Sequence, residues 1–123
     1  MNEQLYKILN KENLKQFSNS LKRSSKLYAP VKTSKESHSF MNVDSLEEAD
    51  LDYTRTMIPP KKFFIPPNET IFSFNKEKEE YYEIPITSES IVLFGVHPCD
   101  LNAFNLLAKV YLEVFTDKYY NKR

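Results

Sequence analysis

The stretch that decides the fold is SIVLFGVHPCDLNAFNLLAKVYLEVF, residues 90–115. Residues 90–96 form a continuous apolar run, which predicts a strand buried on both faces. Apolar residues then recur at helical spacing, so the sequence predicts a helix over 100–115 with Asp100 as its N-cap and its apolar stripe in the core. A strand that leads into a helix is half of a βαβ unit. No strand follows this helix, so we expect the partner strand to be missing.

The N-terminal part of the chain predicts a helix that Asn13 caps and that runs to about residue 24. Its apolar residues are spaced three and four apart on one face, at Leu14, Phe17 and Leu21. A shorter helical turn is expected before it, through Leu5, Ile8 and Leu9.

Two β-hairpins are predicted from apolar and β-branched runs separated by polar turns. The first pairs residues 26–31 with 39–43, and Pro30 confines its strand to an edge or an end of the sheet. The second covers 70–86, where the charged turn NKEKEE separates two alternating runs. The intervening acidic stretch 44–52 is expected to hold one helical turn.

Two double prolines, Pro59-Pro60 and Pro66-Pro67, bracket the basic and aromatic block KKFFI at 61–65. Prolines at this density exclude a regular helix and favour an extended, docked loop. Phe63, Phe64 and Ile65 are expected to act as core or interface anchors.

These elements predict an α/β or α+β fold. It has a small mixed sheet that contains the buried strand 90–96, followed by the helix 100–115, an N-terminal helix and the hairpin near 70–86. With 123 residues the chain fits a single domain, 1–123.

Composition excludes several classes of protein. The chain is 41% hydrophobic and 28% charged, which supports a modest core and argues against disorder. No apolar run approaches the roughly 20 residues of a membrane-spanning helix, and the N-terminus has no apolar signal region. We therefore expect a cytoplasmic location with no membrane partner.

Charge and glycine content exclude further functions. Seventeen basic residues balance seventeen acidic ones, and no basic patch is interleaved with aromatics, so no nucleic-acid partner is expected. The single glycine, Gly95, excludes both a Walker-type phosphate loop and a GxGxxG dinucleotide motif from this chain.

His97-Pro98-Cys99-Asp100 is the one cluster that resembles a site, because open α/β sheets place ligands at the carboxyl ends of their strands. The helix dipole at this position favours a thiolate at Cys99. The residues leave three alternatives open: a small buried cysteine beside a capping aspartate and a solvated histidine, a metal ligand whose partners lie elsewhere, or a nucleophile paired with His97. They favour the first and disfavour the last, since residues two apart on a turn rarely have the geometry that thiol activation needs.

Arg55, Lys61 and Lys62 form a second candidate group, which could hold a phosphate or carboxylate. The simpler interpretation is that they neutralise the acidic stretch 44–52. His38, in a polar turn, is expected to be solvated. No catalytic residue is predicted.

Three stretches of this sequence together resemble one family. They are KLYAPVK at 26–32, DYTRTMIPPKKFFIPPNETIFSF at 52–74, and IVLFGVHPCDLNAFNLL at 91–107 with FTDKYY at 115–120. They are similar to the N-terminal region of the beta subunit of sulfhydrogenase, the cytoplasmic NiFe hydrogenase also called sulfur reductase. The corresponding electron-transfer subunit of anaerobic sulfite reductase is in the same family.

The resemblance implies an electron-transfer subunit that carries [4Fe-4S] clusters in a cysteine-rich C-terminal part and contacts flavin-bearing and catalytic subunits. It implies that this chain is the N-terminal scaffold and docking part of a longer iron–sulfur subunit. One cysteine cannot hold a cluster alone, so no cofactor is expected in this chain by itself, and Cys99 is the one candidate metal ligand.

Two alternatives remain. The chain is a free-standing protein-interaction module or truncated relic without redox activity, or it is a thiol enzyme that uses Cys99 and His97.

Overall fold

The computed structural model describes residues 7–123, which form two compact units. Of the described residues, the first unit comprises 7–57 together with Ser90–Gly95, and the second comprises Ile58–Glu89 together with Val96–Arg123. The single-domain assignment of 1–123 stays a prediction. The α/β or α+β class is confirmed, because helices accompany a three-stranded mixed sheet and a two-stranded sheet.

The sheet of the first unit has three strands, β1 (Lys26–Lys32), β2 (His38–Asn42) and β5 (Ile91–Leu93), in the order β2-β1-β5. β1 and β2 form the predicted antiparallel hairpin. β5 pairs with β1 in parallel, which corrects the expectation that its partner strand is missing. The partner precedes β5 in the chain instead of following its helix.

β5 is an edge strand whose residues are half-buried, so the prediction of a strand buried on both faces is wrong. An apolar run gives the length of a strand but not the number of its neighbours. Pro30 lies in β1 beyond the register Lys26–Tyr28 that pairs with β5. β1 is the central strand of the sheet, so the expectation that Pro30 confines it to an edge or an end is wrong. The proline is tolerated because it lies where the parallel pairing with β5 has ended.

The buried core of the first unit lies under the hairpin. Its fully buried apolar residues are Leu27, Ala29, Val43 and Leu46. α1 (Leu14–Lys22) contributes partly buried leucines to it and follows a 3-10 turn at Lys11–Asn13. Asn13 occupies the predicted N-cap position but makes no side-chain capping bond.

The short helical turn predicted in the N-terminal segment is displaced. Ile8 and Leu9 are not helical, since the first helical residues of the described part of the chain are Lys11–Asn13. Leu5 lies outside the described residues.

A helical turn at Leu46–Glu48 confirms the prediction for the acidic stretch 44–52. It begins with a capping box, in which the Ser45 side chain and the Glu48 carboxylate satisfy the free amides of the turn. A buried serine ties this turn to α1, because the Ser18 hydroxyl donates to Leu14 O (2.7 Å) and accepts from Leu46 N–H (2.9 Å).

The second unit holds the second predicted hairpin, formed by β3 (Phe72–Asn75) and β4 (Glu80–Glu83). Upstream, Pro60–Phe63 forms a 3-10 turn, so the extended loop expected between the double prolines is wrong at these residues. Proline suits the first position of a helical turn, since its fixed φ fits the turn and no N–H is needed there.

The C-terminal helix departs most from its prediction. α2 spans Pro98–Ala108, a π-helical segment follows at Lys109–Val114, and α3 covers Lys118–Lys122. α2 starts at Pro98 with His97 at the N-cap position, so the assignment of Asp100 as cap is wrong.

The predicted apolar stripe of that helix is only partly buried, so the expectation of a core helix is wrong. Neither α2 nor the π-helical segment contains a buried residue. The most exposed members of the stripe are Leu101 (50%), Val114 (89%) and Phe115 (76%). The other members are half-buried: Phe104, Leu107, Ala108 and Tyr111.

Across residues 7–123, the helices are all too short or too polar to cross a bilayer.

Candidate functional site

Cys99 lies in the first turn of α2 and is exposed. The turn is closed by backbone bonds from Asp100 N and Leu101 N to His97 O, at 3.0 and 3.1 Å. The favoured interpretation, in which Cys99 is a small buried residue, is therefore wrong. An exposed thiol in the first turn of an eleven-residue helix is accessible to a metal or another protein group.

A metal site of its own is not formed by the described part of the chain. Residues 7–123 contain no group of three or more His, Cys, Asp or Glu side chains that could hold a metal ion. A [4Fe-4S] cluster takes four thiolates, and the chain has one cysteine. The residues present therefore do not fit a complete cluster.

His38 is the site residue that sequence reasoning misplaced. Its side chain is only 13% exposed, and Nε2 lies 2.9 Å from Asp50 Oδ2. The hydrogen bond from His38, and a second one from the Asp52 backbone N–H, hold the pKa of Asp50 below its ordinary value. The expectation of a solvated histidine is wrong because β2 places His38 beside the loop that carries Asp50.

A buried tyrosine extends this cluster. Tyr53 is 5% exposed, its ring centroid lies 6.0 Å from that of His38, and its hydroxyl donates to Gly95 O at 2.7 Å. The hydrogen bond joins the loop after the acidic stretch to the end of β5. The cluster therefore links β2, the loop that carries Asp50 and Tyr53, and the end of β5 within the first unit.

Arg55 lines a cavity of about 430 Å³ beside this cluster. The other lining residues are Glu36, His38, Asp52 and Thr54. Two carboxylates, one guanidinium and one imidazole give the cavity mixed charge, which favours no single ligand class. Arg55 belongs to the first unit, whereas Lys61 and Lys62 belong to the second.

The two lysines lie in the 3-10 turn at Pro60–Phe63. Lys62 Nζ lies 5.2 Å from the centroid of the Phe63 ring, and burial lowers the pKa of Lys62. Two acids of the stretch 44–52 have other partners: Asp44 pairs with Lys22 at 2.5 Å, and Asp50 pairs with His38. Lys22 and His38, which are not in the predicted basic group, therefore pair with two of the acidic residues in that stretch.

The second unit has an aromatic cluster that sequence reasoning recognised only in part. Phe64 packs edge-on against Phe104 with centroids 4.9 Å apart, and Tyr111 stacks on Tyr120 at 5.1 Å. This confirms the anchor role predicted for Phe64, while Ile65 is 36% exposed. For the rest of the cluster, the sequence signal that could have been used is the pair of adjacent tyrosines, Tyr119 and Tyr120, at the end of FTDKYY.

A cavity of about 170 Å³ adjoins this cluster. At its rim the guanidinium of Arg123 pairs with Glu69 and also donates to Phe64 O at 3.3 Å. Asp117 caps α3 by accepting from Tyr120 N–H at 2.7 Å. Each of these charged groups is thus engaged by a neighbour within the unit, which leaves the cavity essentially apolar.

α3 is also joined to the second hairpin. Lys118 pairs with Glu83, and the Tyr119 hydroxyl donates to Glu83 Oε1 at 2.9 Å. The bond from Lys118 lowers the pKa of Glu83, while burial and the neighbouring carboxylate raise the pKa of Tyr119. These contacts are structural, since they tie together two elements of the same unit.

The fold and the cysteine site together define a class: a small α/β or α+β protein with one exposed thiol at the start of a helix and no metal-binding group of its own among residues 7–123. The chain is 42% identical over 118 residues to sulfhydrogenase 2 subunit beta of Pyrococcus furiosus. This confirms the resemblance carried by the three motifs.

The match covers 96% of this chain but 34% of the relative, so the chain spans about a third of the length of the curated protein it matches. That coverage is consistent with the resemblance to an N-terminal region. No family model and no solved structure matches the chain.

Proposed function

We propose that this chain is the N-terminal scaffold and docking part of an iron–sulfur electron-transfer subunit in a hydrogenase, sulfur reductase or sulfite reductase complex. The observation that carries the proposal is the 42% identity to a sulfhydrogenase beta subunit across 96% of the chain. The proposed setting is an anaerobic cytoplasmic complex with flavin-bearing and catalytic subunits as partners.

The structure supports a docking role through its exposed apolar side chains. On the second unit, Phe72, Tyr81, Leu106 and Val114 are between 63% and 89% exposed. Soluble proteins tend to cover large apolar patches with a partner. A subunit held inside a larger complex has such a partner.

Chemistry in this proposal belongs to clusters held mainly outside the chain. Such clusters supply one-electron transfer, and the protein supplies position and electrostatics. The role we assign to Cys99 is that of a single ligand, completed by thiolates from elsewhere in the subunit. Its exposure in the first turn of α2 leaves it accessible for that role.

The test is to tag the native gene, isolate the protein anaerobically and determine its mass, its iron and acid-labile sulfide, and the subunits that accompany it. We expect iron–sulfur clusters together with identified hydrogenase, sulfur reductase or sulfite reductase subunits. A free 14.5 kDa protein without iron would contradict the proposal and favour a separate interaction module.

Cys99 is tested in the same preparation. Replacement of Cys99 by serine is expected to remove or alter the electron paramagnetic resonance signal of one cluster, whereas His97→Ala, two residues away, leaves it in place. An unchanged spectrum in C99S, with the iron content also unchanged, would show that the cysteine is not a ligand.

A further inference from the structure

The free edge of β5 is the feature of the fold that points to a further contact. Within the described part of the chain β5 is the last strand of the order β2-β1-β5, with β1 as its only neighbour in the sheet. On the β1 side, Ser90 O accepts from Lys26 N and Phe94 N donates to Tyr28 O, both at 2.9 Å. In a parallel pair, the N–H and C=O groups of alternate residues point to opposite sides of the strand. The backbone N–H and C=O groups of Ile91 and Leu93 therefore point away from β1.

The opposite edge of the same sheet differs. β2 receives the backbone of the following loop, because Met57 N donates to His38 O at 2.9 Å. The chain thus covers part of that edge itself. Among the backbone bonds of residues 7–123, none of this kind reaches Ile91 or Leu93. The strand itself, Ile91–Leu93, also has no charged residue or proline of the kind that protects edge strands.

We propose that the free edge of β5 is a docking site for an added β-strand, and that this strand comes from the part of the subunit that corresponds to the unmatched two-thirds of the sulfhydrogenase relative. The inference rests on the proposed function. It adds a specific contact to it: an extended, mainly apolar segment whose backbone bonds to Ile91 and Leu93.

The choice of this occupant over a second copy of the chain follows from the size of the edge. Two outward-facing residues offer at most two N–H donors and two carbonyl acceptors. The net contribution of so few backbone bonds is smaller than the cost of bringing two free proteins together. A segment of the same subunit has already lost most of that translational and rotational freedom, so the few backbone bonds of a three-residue strand are enough to hold it.

The half-buried side chains of β5 agree with an apolar occupant. Ile91, Val92 and Leu93 are apolar and each is partly shielded already. A neighbouring strand would extend the sheet and cover more of this surface, as peptide strands do when they add to an exposed sheet edge.

The test is amide hydrogen exchange, resolved to single residues, on the native complex isolated anaerobically and on the 123-residue chain alone. The amides of Ile91 and Leu93 are the reporters, and the amide of Phe94, which bonds to β1 in the chain itself, is the internal control. We expect exchange at Ile91 and Leu93 to slow by at least about tenfold in the complex, as for a newly formed backbone bond. Phe94 is expected to be protected in both samples.

Two proline variants add a matched pair. Leu93→Pro removes an amide that faces the free edge, and Val92→Pro removes one that faces β1. We expect the first to lose the added strand, seen as fast exchange at Ile91 in the complex, while Phe94 stays protected in the chain alone. The second is expected to lose protection at Phe94 already in the chain alone.

The outcomes separate the two proposals. A complex that contains clusters and the expected subunits, but in which Ile91 and Leu93 exchange as fast as in the free chain, overturns the added strand and leaves the proposed function intact. A native protein that is a 14.5 kDa monomer without iron overturns both.

Discussion

The two compact units of this chain bury their apolar residues to very different extents. The first unit has a closed core beneath its hairpin, where Leu27, Ala29, Val43 and Leu46 are at most 3% exposed. In the second unit, Tyr120 and Pro60 are the buried apolar residues among those that the structure describes, and the long helix has none. The first unit therefore has a buried apolar core, whereas the second leaves many of its apolar side chains exposed to solvent.

This contrast indicates that the two units are stabilised by different interactions. Hydrophobic burial is the dominant favourable contribution to folding, so the first unit has the means to hold its shape by its own contacts. Aromatic pairs and polar bonds hold the second unit, and its long helix carries exposed apolar residues such as Leu101 and Leu106. If the contrast in burial is also a contrast in stability, substitutions in the first core should lower the free energy of unfolding more than substitutions in the second unit.

The largest effect is expected from Leu27→Ala. Leu27 is 1% exposed at the centre of the first core, and its truncation leaves a cavity that β1 and β2 cannot close. We expect the free energy of unfolding to fall by about 3 kcal/mol, measured by denaturant titration with circular dichroism. A loss below about 1 kcal/mol would contradict the assignment of the main core to this unit.

Phe64→Ala makes the corresponding change in the second unit. Phe64 contacts Phe104 and Tyr120, but it is only half-buried. We expect a loss of about 2 kcal/mol, less than for a fully buried aromatic ring. Near-ultraviolet circular dichroism reports the aromatic cluster directly. A loss equal to or larger than that of Leu27→Ala would remove the energetic contrast between the units.

Gly95→Ala tests the end of β5. Gly95 has φ +75°, and an added Cβ would lie 2.7 Å from Leu51 Cδ2 and 3.3 Å from Pro30 Cδ. Leu51 is 54% exposed and can move, so the backbone conformation carries most of the cost, about 1–2 kcal/mol. Gly95→Asn is the control, because asparagine tolerates this conformation better and is expected to lose less. Equal stability of wild type and G95A in thermal unfolding would show that the positive φ is not required.

Local sequence patterns predicted the hairpins well. β1 and β2 are close in the chain, and their alternation and polar turn identify both strands and their pairing. The parallel pairing of β1 with β5 was missed because it joins segments more than sixty residues apart, and no local signal carries it. The His38–Asp50 bond was missed for a similar reason, since it depends on how β2 meets a later loop.

The C-terminal helix shows a different limit. Apolar spacing placed a helix near 100–115 correctly, but the spacing does not tell how deeply the apolar stripe is buried. It also carries no sign of the change to π-helical bonding at Lys109–Val114. For the site, the pattern identified Cys99 at the start of a helix, while its exposure could be known only from the structure.

A smaller, pH-dependent effect is expected from Asp50→Asn. The bond from His38 lowers the pKa of Asp50 below its ordinary value of 3.8, so the folded state binds this proton less readily than the unfolded state. The stabilisation is therefore fully present above pH 3.8 and is lost as the pH falls through the lower pKa of the folded state. We expect wild type to be more stable than D50N near neutral pH, and the difference to shrink in acid. Urea titrations at several pH values measure it, and a difference that does not change in acid would contradict the role of this carboxylate.

The smallest effect on stability is expected from Leu106→Ser, the counterpart of Leu27→Ala on the exposed helix. Leu106 is 65% exposed, so the side chain loses little contact when it is shortened and made polar. We expect the free energy of unfolding of the chain to change by no more than about 0.5 kcal/mol, measured as for Leu27→Ala. If L106S instead destabilises the chain by as much as L27A, the helix surface belongs to a core of the chain itself. If stability is unchanged while the variant no longer assembles into the native complex, the leucine acts in association, and the contrast between the two units is one between folding and docking.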